Sequence, residues 1–156
     1  MSARVLIDGD ACPVREEAYR VARRHGAAVT VVANQWLRTP PDVAFQRVDD
    51  GFDAADDWIA EAAGPDVVIV TADILLAERG LAAGAAVISP KGEAFTSDSI
   101  GALIATRAIM TDLRDQLASK GEDAGHRGGP APFSPRDRSR FLEALHLALE
   151  KRARGG

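Results

Sequence analysis

Cysteine, long hydrophobic segments and regularly spaced histidines are scarce in this 156-residue chain. Its one cysteine, Cys12, excludes an internal disulfide and cannot form a thiolate metal cluster by itself. The three histidines, His25, His126 and His146, are too scattered to show the spacing of metal ligands. No apolar run is long enough to cross a membrane, and the first residues lack the pattern of a signal peptide. We therefore expect a soluble cytoplasmic protein.

Positive charge is scarce over the first two-thirds of the chain. Residues 1–98 contain 9 Lys and Arg against 16 Asp and Glu, whereas residues 99–156 contain 10 against 7. An acidic body argues against tight non-specific binding to nucleic acid, because that affinity comes mainly from neutralising phosphates. It does not exclude a phosphate substrate that is held through a metal, since a bound cation reverses the local field.

The sequence does contain a regular alternation of strand and helix patterns. Short apolar, β-branched runs predict strands, and segments with apolar residues at helical spacing lie between them. This alternation predicts an α/β fold of three layers, a mostly parallel sheet with helices on both faces. The length suits a single domain, residues 1–156. Pro13 is predicted to open the first helix, which ends near Gly26. The predicted strands are Val5–Ile7, Ala28–Ala33, Phe45–Val48, Val67–Val70, Ala85–Ser89 and Glu93–Phe95.

The last third of the chain is predicted to hold two helices joined by a flexible loop. Ser97 is the predicted cap of a long helix whose inward face includes Ile100, Leu103 and Leu113. Residues 119–132 are rich in glycine and predict the loop. The final helix, at about residues 135–152, has Ser134 as its cap and an amphipathic pattern, so we expect it to pack on the body.

Carboxylates follow two of the predicted strands directly. Asp8 and Asp10 come after the first strand, and Asp73 comes after Val67–Val70. Because the carboxyl ends of parallel strands meet at one edge of a sheet, these acids should lie close together. Clustered carboxylates repel one another unless a cation neutralises them, and hard oxygen ligands suit Mg²⁺ or Mn²⁺. The sequence therefore predicts a metal site with Asp8, Asp73, Asp10 and Asp56 as its candidate ligands.

Three acids at one predicted helix start, Asp53, Asp56 and Asp57, have two interpretations. They could extend the metal site. Alternatively, their negative charges could simply stabilise the N-terminus of the helix, where the helix dipole is positive. For Asp8 and Asp73, at two strand ends, a site is the stronger interpretation. A metal held there could polarise a phosphoryl oxygen and activate water, with Asp10 or Asp57 orienting that water.

Six other side chains carry alternatives of the same kind. Arg107 could contact a phosphate, although a structural ion pair is slightly favoured. Arg138 and Arg140 could close over a nucleic-acid backbone, although a solvated helix face is favoured. Cys12 at a helix start would have a lowered pKa, but with no histidine nearby we favour a buried structural thiol. Trp36 and Trp58 could stack on bases, although positions in or beside the core are favoured.

The start of the chain resembles the haloacid-dehalogenase-like phosphatases. Asp8-Gly9-Asp10, Thr71 and Lys91 are similar to three motifs of that family, in which the first acid is a nucleophile and the second an acid/base. Two features differ: no flap-forming insertion follows the acids, and no late strand ends in paired acids.

A second resemblance, to the YaiI/YqxD family of bacterial proteins, covers nearly the whole chain. It implies a fold related to PIN-like nucleases, which hold Mg²⁺ or Mn²⁺ with strand-end acids and cleave phosphodiesters, often in RNA. Asp8 and Asp73 match those acids, and Asp10, Asp56 and Asp57 are further matches. The blocks that carry the resemblance are Asp8–Val14, Asp53–Ile59, Thr71–Ala77, Pro90–Glu93 and Gly129–Ser134 with Asp137, Arg138 and Phe141.

We accordingly expect a metal-dependent phosphodiester hydrolase that acts on RNA or single-stranded nucleic acid. Its expected catalytic residues are Asp8, Asp10, Asp73 and Asp57, and its expected substrate-binding residues are Arg107, Lys91 and Arg138. A non-catalytic module that binds nucleic acid or protein is the alternative, and a phosphatase is the third hypothesis.

Overall fold

A six-stranded sheet forms the centre of the computed structural model, which describes residues 3–51, 53–119 and 132–155. The first five strands are parallel, and the sixth is antiparallel to the fifth. The sheet is therefore mostly parallel, as predicted. The strands are β1 Arg4–Asp8, β2 Ala28–Ala33, β3 Val43–Arg47, β4 Val67–Val70, β5 Ala86–Ile88 and β6 Ala94–Phe95, in the spatial order β3-β2-β1-β4-β5-β6.

Helices cover both faces of the sheet. One hydrophobic layer is formed with α1 and α5, and the other with α2, α3 and the start of α4. This arrangement confirms the predicted three-layer α/β fold. Among the described residues the helices are α1 Arg15–His25, α2 Ala54–Ala62, α3 Ile74–Ala82, α4 Ser97–Ser119 and α5 Pro135–Gly155.

The two layers of core follow from the alternation of side chains along the strands. In β1, Val5 and Ile7 face the first layer and Leu6 faces the second, because successive strand residues point to opposite faces. Tyr19 of α1 and Phe141 of α5 are buried in the first layer. The amphipathic α5 thus packs on the body as expected.

The starts of the helices confirm one prediction and correct two. At α5, Ser134 Oγ accepts from the amide of Asp137 at 3.2 Å, and the Asp137 carboxylate accepts from the amide of Ser134 at 3.0 Å, so the predicted cap is confirmed. The predicted cap Ser97 is wrong, because the reciprocal bonds that begin α4 join Thr96 and Ser99. Pro13 does not open a helix, since a single 3-10 turn, Gly9–Ala11, comes first and α1 begins at Arg15.

The long helix α4 is less covered than its sequence predicts. Ile100 is buried, but Leu103 and Leu113 are exposed, because the described side chains of α4 that pack against the core belong to its first turns. Of the predicted flexible loop, residues 120–131 lie outside the described residues. Among the helices of the described segments, none combines the length and apolar character that a membrane crossing requires.

The order of the strands determines where a ligand site forms. The chain moves outward from β1 through β2 to β3, then returns to place β4 on the other side of β1 and moves outward again. Beyond the carboxyl ends of β1 and β4, the connections therefore diverge to opposite sides and leave a crevice. Open α/β sheets bind their ligands at this topological switch point.

Candidate active site

A cleft of about 520 Å³ lies at the switch point between β1 and β4. Asp8 ends β1, and Asp73 lies three residues beyond the end of β4. The structure brings these two acids together at one edge of the sheet, as the sequence predicts. The residues that line the cleft are Asp8, Ala72, Asp73, Ile74, Pro90 and Arg107.

Thr71 connects the two strand ends. Its buried hydroxyl donates to Oδ2 of Asp8 at 3.0 Å and accepts from the amide of Asp73 at 3.0 Å. The bond to Asp8 occupies one of the two carboxylate oxygens. Thr71 therefore fixes the orientation of Asp8 and the course of the turn that carries Asp73. From the sequence, Thr71 is part of two family resemblances but has no predicted positioning role, and its place directly after β4 is the signal that could have indicated one.

Asp73 also begins the helix that follows it. Its Oδ1 accepts from the amides of Leu75 at 2.9 Å and Leu76 at 3.3 Å, as the N-cap of α3. These bonds fix the position of a carboxylate that also lines the cleft. The capping and the site interpretations of Asp73 are thus compatible.

Asp56 reaches the same group of acids from the start of α2. Burial, followed by the charges of Asp73 and Asp8 and a hydrogen bond with Asp73, raises the pKa of Asp56 to about 7. Burial also raises the pKa of Asp8, and the charges of Asp10 and Asp73 add to that effect, while the bond from Thr71 opposes it. Burial and the neighbouring carboxylates therefore both favour the protonated forms of Asp8 and Asp56.

The crowding fits a divalent cation with an open coordination shell. Within the described residues, no three His, Cys, Asp or Glu side chains converge on one point as the ligands of a closed metal site do. Mg²⁺ is commonly bound by one or two carboxylates and keeps several waters, so Asp8 and Asp73 form a donor set of the kind that it accepts.

Two other predicted acids have local partners. The Asp10 carboxylate accepts from the amide of Asn34 at 3.3 and 3.4 Å, which ties the turn after β1 to the loop after β2. Asp57 pairs with Arg79 at 2.8 Å on an exposed surface. Of the two neighbours in α2, it is thus Asp56 that reaches the cluster.

The three predicted substrate-binding cations lie in different surroundings. Arg107 lines the cleft, and its guanidinium forms no ion pair with a carboxylate of the described segments. Arg138 instead pairs with Glu17 of α1 at 2.8 Å. Hydrogen bonds with Ser134 lower the pKa of Asp137 at the start of α5, and the positive charge of Lys91 lowers the pKa of Asp137 further.

Cys12 and Trp36 differ from their sequence-based expectations. Burial raises the pKa of Cys12 to about 11, so the predicted lowering of its pKa at a helix start is wrong. The thiol stays protonated at neutral pH, which agrees with the favoured structural role. Trp36 is 76% exposed rather than in the core, whereas Trp58 packs against the second core layer. The polar residues and prolines around Trp36 are the signal that could have indicated this exposure.

A larger groove, of about 690 Å³, lies between α5 and the β5–β6 edge of the sheet. Glu143 is its one acidic lining residue, beside mainly apolar side chains. It offers no pair of carboxylates, so the smaller cleft at the switch point is the candidate active site.

Comparison with known proteins gives the family. The model described as "Uncharacterized BCR, YaiI/YqxD family" matches residues 6–151. The chain belongs to this family. A UPF0178 protein of Sphingopyxis alaskensis is 60% identical over 153 residues, which cover 97% of this chain and 96% of the relative.

Other members of the family are similar over nearly the same length. UPF0178 proteins of a Bradyrhizobium species and of Rhodopseudomonas palustris are 52% and 50% identical, over 94% and 95% of this chain and 87% and 92% of their own lengths. No solved structure matches the chain at a significant level. The match to the family model includes every residue that lines the cleft at the switch point.

Proposed function

We propose that this YaiI/YqxD family member is a Mg²⁺- or Mn²⁺-dependent phosphodiester hydrolase that acts on nucleic acid, with RNA favoured. The observation that carries the proposal is the content of one cleft: the strand-end acids Asp8 and Asp73, crowded by Asp56, and the guanidinium of Arg107. Such a cleft offers a cation its ligands and offers a phosphate a positive partner. The resemblance of Asp8 and Asp73 to the strand-end acids of PIN-like nucleases supports the same reaction.

The side chains of the cleft have distinct roles in this proposal. Asp8 and Asp73 would hold the cation, whose chemistry there would be to polarise a phosphoryl oxygen of the substrate. Arg107 contacts the phosphate and compensates the charge that develops on it. Asp56, which forms a hydrogen bond with Asp73, adds a third carboxyl group beside the two that would hold the cation. Thr71 keeps Asp8 in position for the cation.

Thermal unfolding with added Mn²⁺ tests the cation. At a hundred times its dissociation constant a cation adds about 2.7 kcal/mol of stability, which is roughly 5–11 °C in Tm for a domain of this size. We expect Asp8→Asn to abolish this increase. Asp42→Asn is the matched control, because Asp42 pairs with Arg23 away from the cleft. Equal Mn²⁺ responses of the parent and Asp8→Asn would contradict the site.

Incubation with mixed RNA and DNA oligonucleotides in Mn²⁺ tests the reaction. We expect cleavage by the parent and by Asp42→Asn, and none by an Asp8→Asn/Asp73→Asn double variant purified in the same way. Cleavage that persists in the double variant would come from a contaminating nuclease and would remove the support for hydrolysis.

A non-catalytic nucleic-acid-binding module is the second candidate, and the exposure of Trp36 favours it. It predicts oligonucleotide binding without cleavage in the same experiment. Release of phosphate from an aryl phosphate would instead indicate the phosphatase, but Lys91 is not among the residues that line the cleft.

A further inference from the structure

We propose that Trp36 is a stacking platform for an unpaired base and that the surface around it binds single-stranded nucleic acid beside the Asp8 cleft. The inference rests on the proposed function for the place where a phosphodiester would react. The binding that it predicts can be measured without that reaction.

Trp36 is exposed and yet held in place. Its ring lies 5.5 Å from that of Phe45, tilted by 37°, and the guanidinium carbon of Arg47 lies 5.6 Å from its centroid. These contacts leave 76% of the residue open to solvent. Tryptophan is largely buried on average, and here an indole that two neighbours orient presents a fixed aromatic face to solvent. Because every base has a π-face, a fixed ring of this kind is suited to stack on one.

The loop that carries Trp36 is attached to the turn that carries Asp8 and Asp10. The amide of Asn34 donates to the Asp10 carboxylate at 3.3 Å. Leu37 approaches Gly9 so closely that a Cβ added there would lie 3.2 Å from its Cδ1. Trp36 lies between these two anchors and follows the carboxyl end of β2, next to β1 in the sheet. The platform and the cleft are therefore on the same edge of the molecule.

Three arginines without ion pairs among the described residues lie either over the indole or at a cavity beside the loop that carries it, a cavity that Glu16 also lines. Arg47 lies over the indole, Arg38 is two residues beyond Trp36, and Arg38 and Arg15 line one cavity of about 200 Å³. None of the three forms an ion pair with a carboxylate in the described parts of the chain, although Arg23 does. In a body with an excess of acids, this group provides the positive charge that a phosphate backbone requires.

The combination indicates a single strand rather than a duplex. Bases in a duplex are stacked on their neighbours and do not offer a free face to a protein side chain, whereas unpaired bases stack on aromatic residues. The arginines would contact the backbone and Trp36 a base. A strand bound in this way would pass over the turn of Asp8 and Asp10.

Fluorescence anisotropy with a labelled oligouridine tests the platform. The full chain is used in EDTA, so that no phosphodiester is cleaved, and an abasic oligomer of equal length and charge is the reference ligand. Stacking on one base contributes about 1–3 kcal/mol, so we expect Trp36→Leu to weaken oligouridine binding about 5- to 150-fold. Trp36→Phe is the matched variant that keeps an aromatic face, and it should stay within about threefold of the parent. Abasic binding should be equal in all three proteins.

The outcomes separate this inference from the proposed function. If Trp36→Leu binds oligouridine as the parent does, or if the parent does not prefer oligouridine to the abasic oligomer, the platform is refuted. If this surface binds another protein instead of nucleic acid, the parent should likewise show no preference for oligouridine. If Trp36→Leu loses the preference but Mn²⁺ induces no cleavage by the parent, the platform stands and the hydrolase fails. If the parent cleaves and the preference is absent, only the platform fails.

Discussion

One hydroxyl group organises the ends of both central strands. Thr71 is β-branched, as suits a position at the end of a buried strand, and its Oγ1 acts both as a donor and as an acceptor. Valine would have the same shape but could not orient Asp8. The residue is thus required by the site and not by the packing of the sheet.

We expect Thr71→Val to lower the free energy of unfolding by about 1–3 kcal/mol, because it removes the partners of the Asp73 amide and of Asp8. It should also reduce the increase in Tm that Mn²⁺ produces. Thr71→Ser keeps the hydroxyl and should retain most of both quantities. Denaturant unfolding and thermal shifts measure them, and equal values for the valine and serine variants would refute the role of the hydroxyl.

Asp56 should make stability depend on pH in a defined direction. Its pKa is raised from 3.8 to about 7 in the folded protein, so the folded state holds a proton that the unfolded chain releases earlier. In EDTA, this group therefore lowers stability as pH rises from about 4 to about 7, and the loss persists above that range. Asp56→Asn removes this pH-dependent loss of stability. Between about pH 4 and pH 7, the free energy of unfolding of the variant should therefore rise by about 1 kcal/mol relative to that of the parent, after allowance for the partial exposure of Asp56.

Urea unfolding at several pH values measures this difference. Asp66→Asn is a control of opposite sign, because a hydrogen bond from Arg4 lowers the pKa of Asp66 and its contribution is lost as pH falls. If the parent and Asp56→Asn differ by the same amount at every pH, Asp56 does not hold the proton.

The positions of individual site residues could be predicted where those residues directly follow a strand. Asp8 and Asp73 follow buried apolar runs, so the parallel sheet alone brings them to one edge. Asp56 and Asp57 could not be distinguished in this way, because they are adjacent on one helix and their directions depend on how that helix is rotated over the sheet. The exposure of Trp36 was also beyond the sequence pattern, because it depends on how the loop after β2 is anchored.

The turn after β5 and the helix α5 are packed backbone to backbone. Gly92 has a φ of +90°, and a Cβ added there would lie 2.5 Å from the carbonyl carbon of Arg140. This contact joins the edge of the sheet to the helix that completes the first core layer. Only glycine satisfies both the backbone conformation and the lack of space.

We expect Gly92→Ala to lower the free energy of unfolding by at least about 2 kcal/mol, from backbone strain and the clash with Arg140. Gly101→Ala is the matched control, because Gly101 lies in α4 with no atom within 4 Å of an added Cβ. The control should gain up to about 1 kcal/mol from helix propensity. Denaturant unfolding compares the two, and a tolerated alanine at position 92 would show that α5 can move away from the turn.

For strands and helices, the sequence predicted where each element lies in the chain better than which of its side chains are buried. β2 and β4 have the predicted bounds, because uninterrupted β-branched runs end at turn residues. The periodicity of α4 wrongly predicted a buried face for Leu103 and Leu113, since a 3.6-residue pattern does not indicate how far the neighbouring elements extend.

For the whole molecule, the order of the strands was the information that the sequence lacked. Alternating strands and helices predicted a parallel sheet, but several orders satisfy that alternation. After β3 the chain returns so that β4 pairs with β1. This pairing depends on contacts between residues far apart in the sequence, on both faces of the sheet. It creates the cleft and also aligns the platform of Trp36 with it.

The distribution of charge predicts a modest salt dependence for single-strand binding. If Arg15, Arg38 and Arg47 each neutralise one phosphate, the logarithm of the affinity should fall against the logarithm of salt concentration with a slope of about −2. Arg47→Gln should reduce the magnitude of this slope by about 0.7. Trp36→Leu should lower the affinity and leave the slope unchanged. Anisotropy titrations over a range of KCl concentrations measure this, and a slope near zero would contradict the role of the arginines.

The packing of α5 also affects how the protein is made. Phe141, Leu145 and Leu149 complete the core on the side of the sheet that α1 covers in part. While the ribosome is still synthesising the segment before residue 135, the valines and isoleucines on that side remain in contact with water. That layer of the core can therefore be completed only after residue 149 has left the exit tunnel.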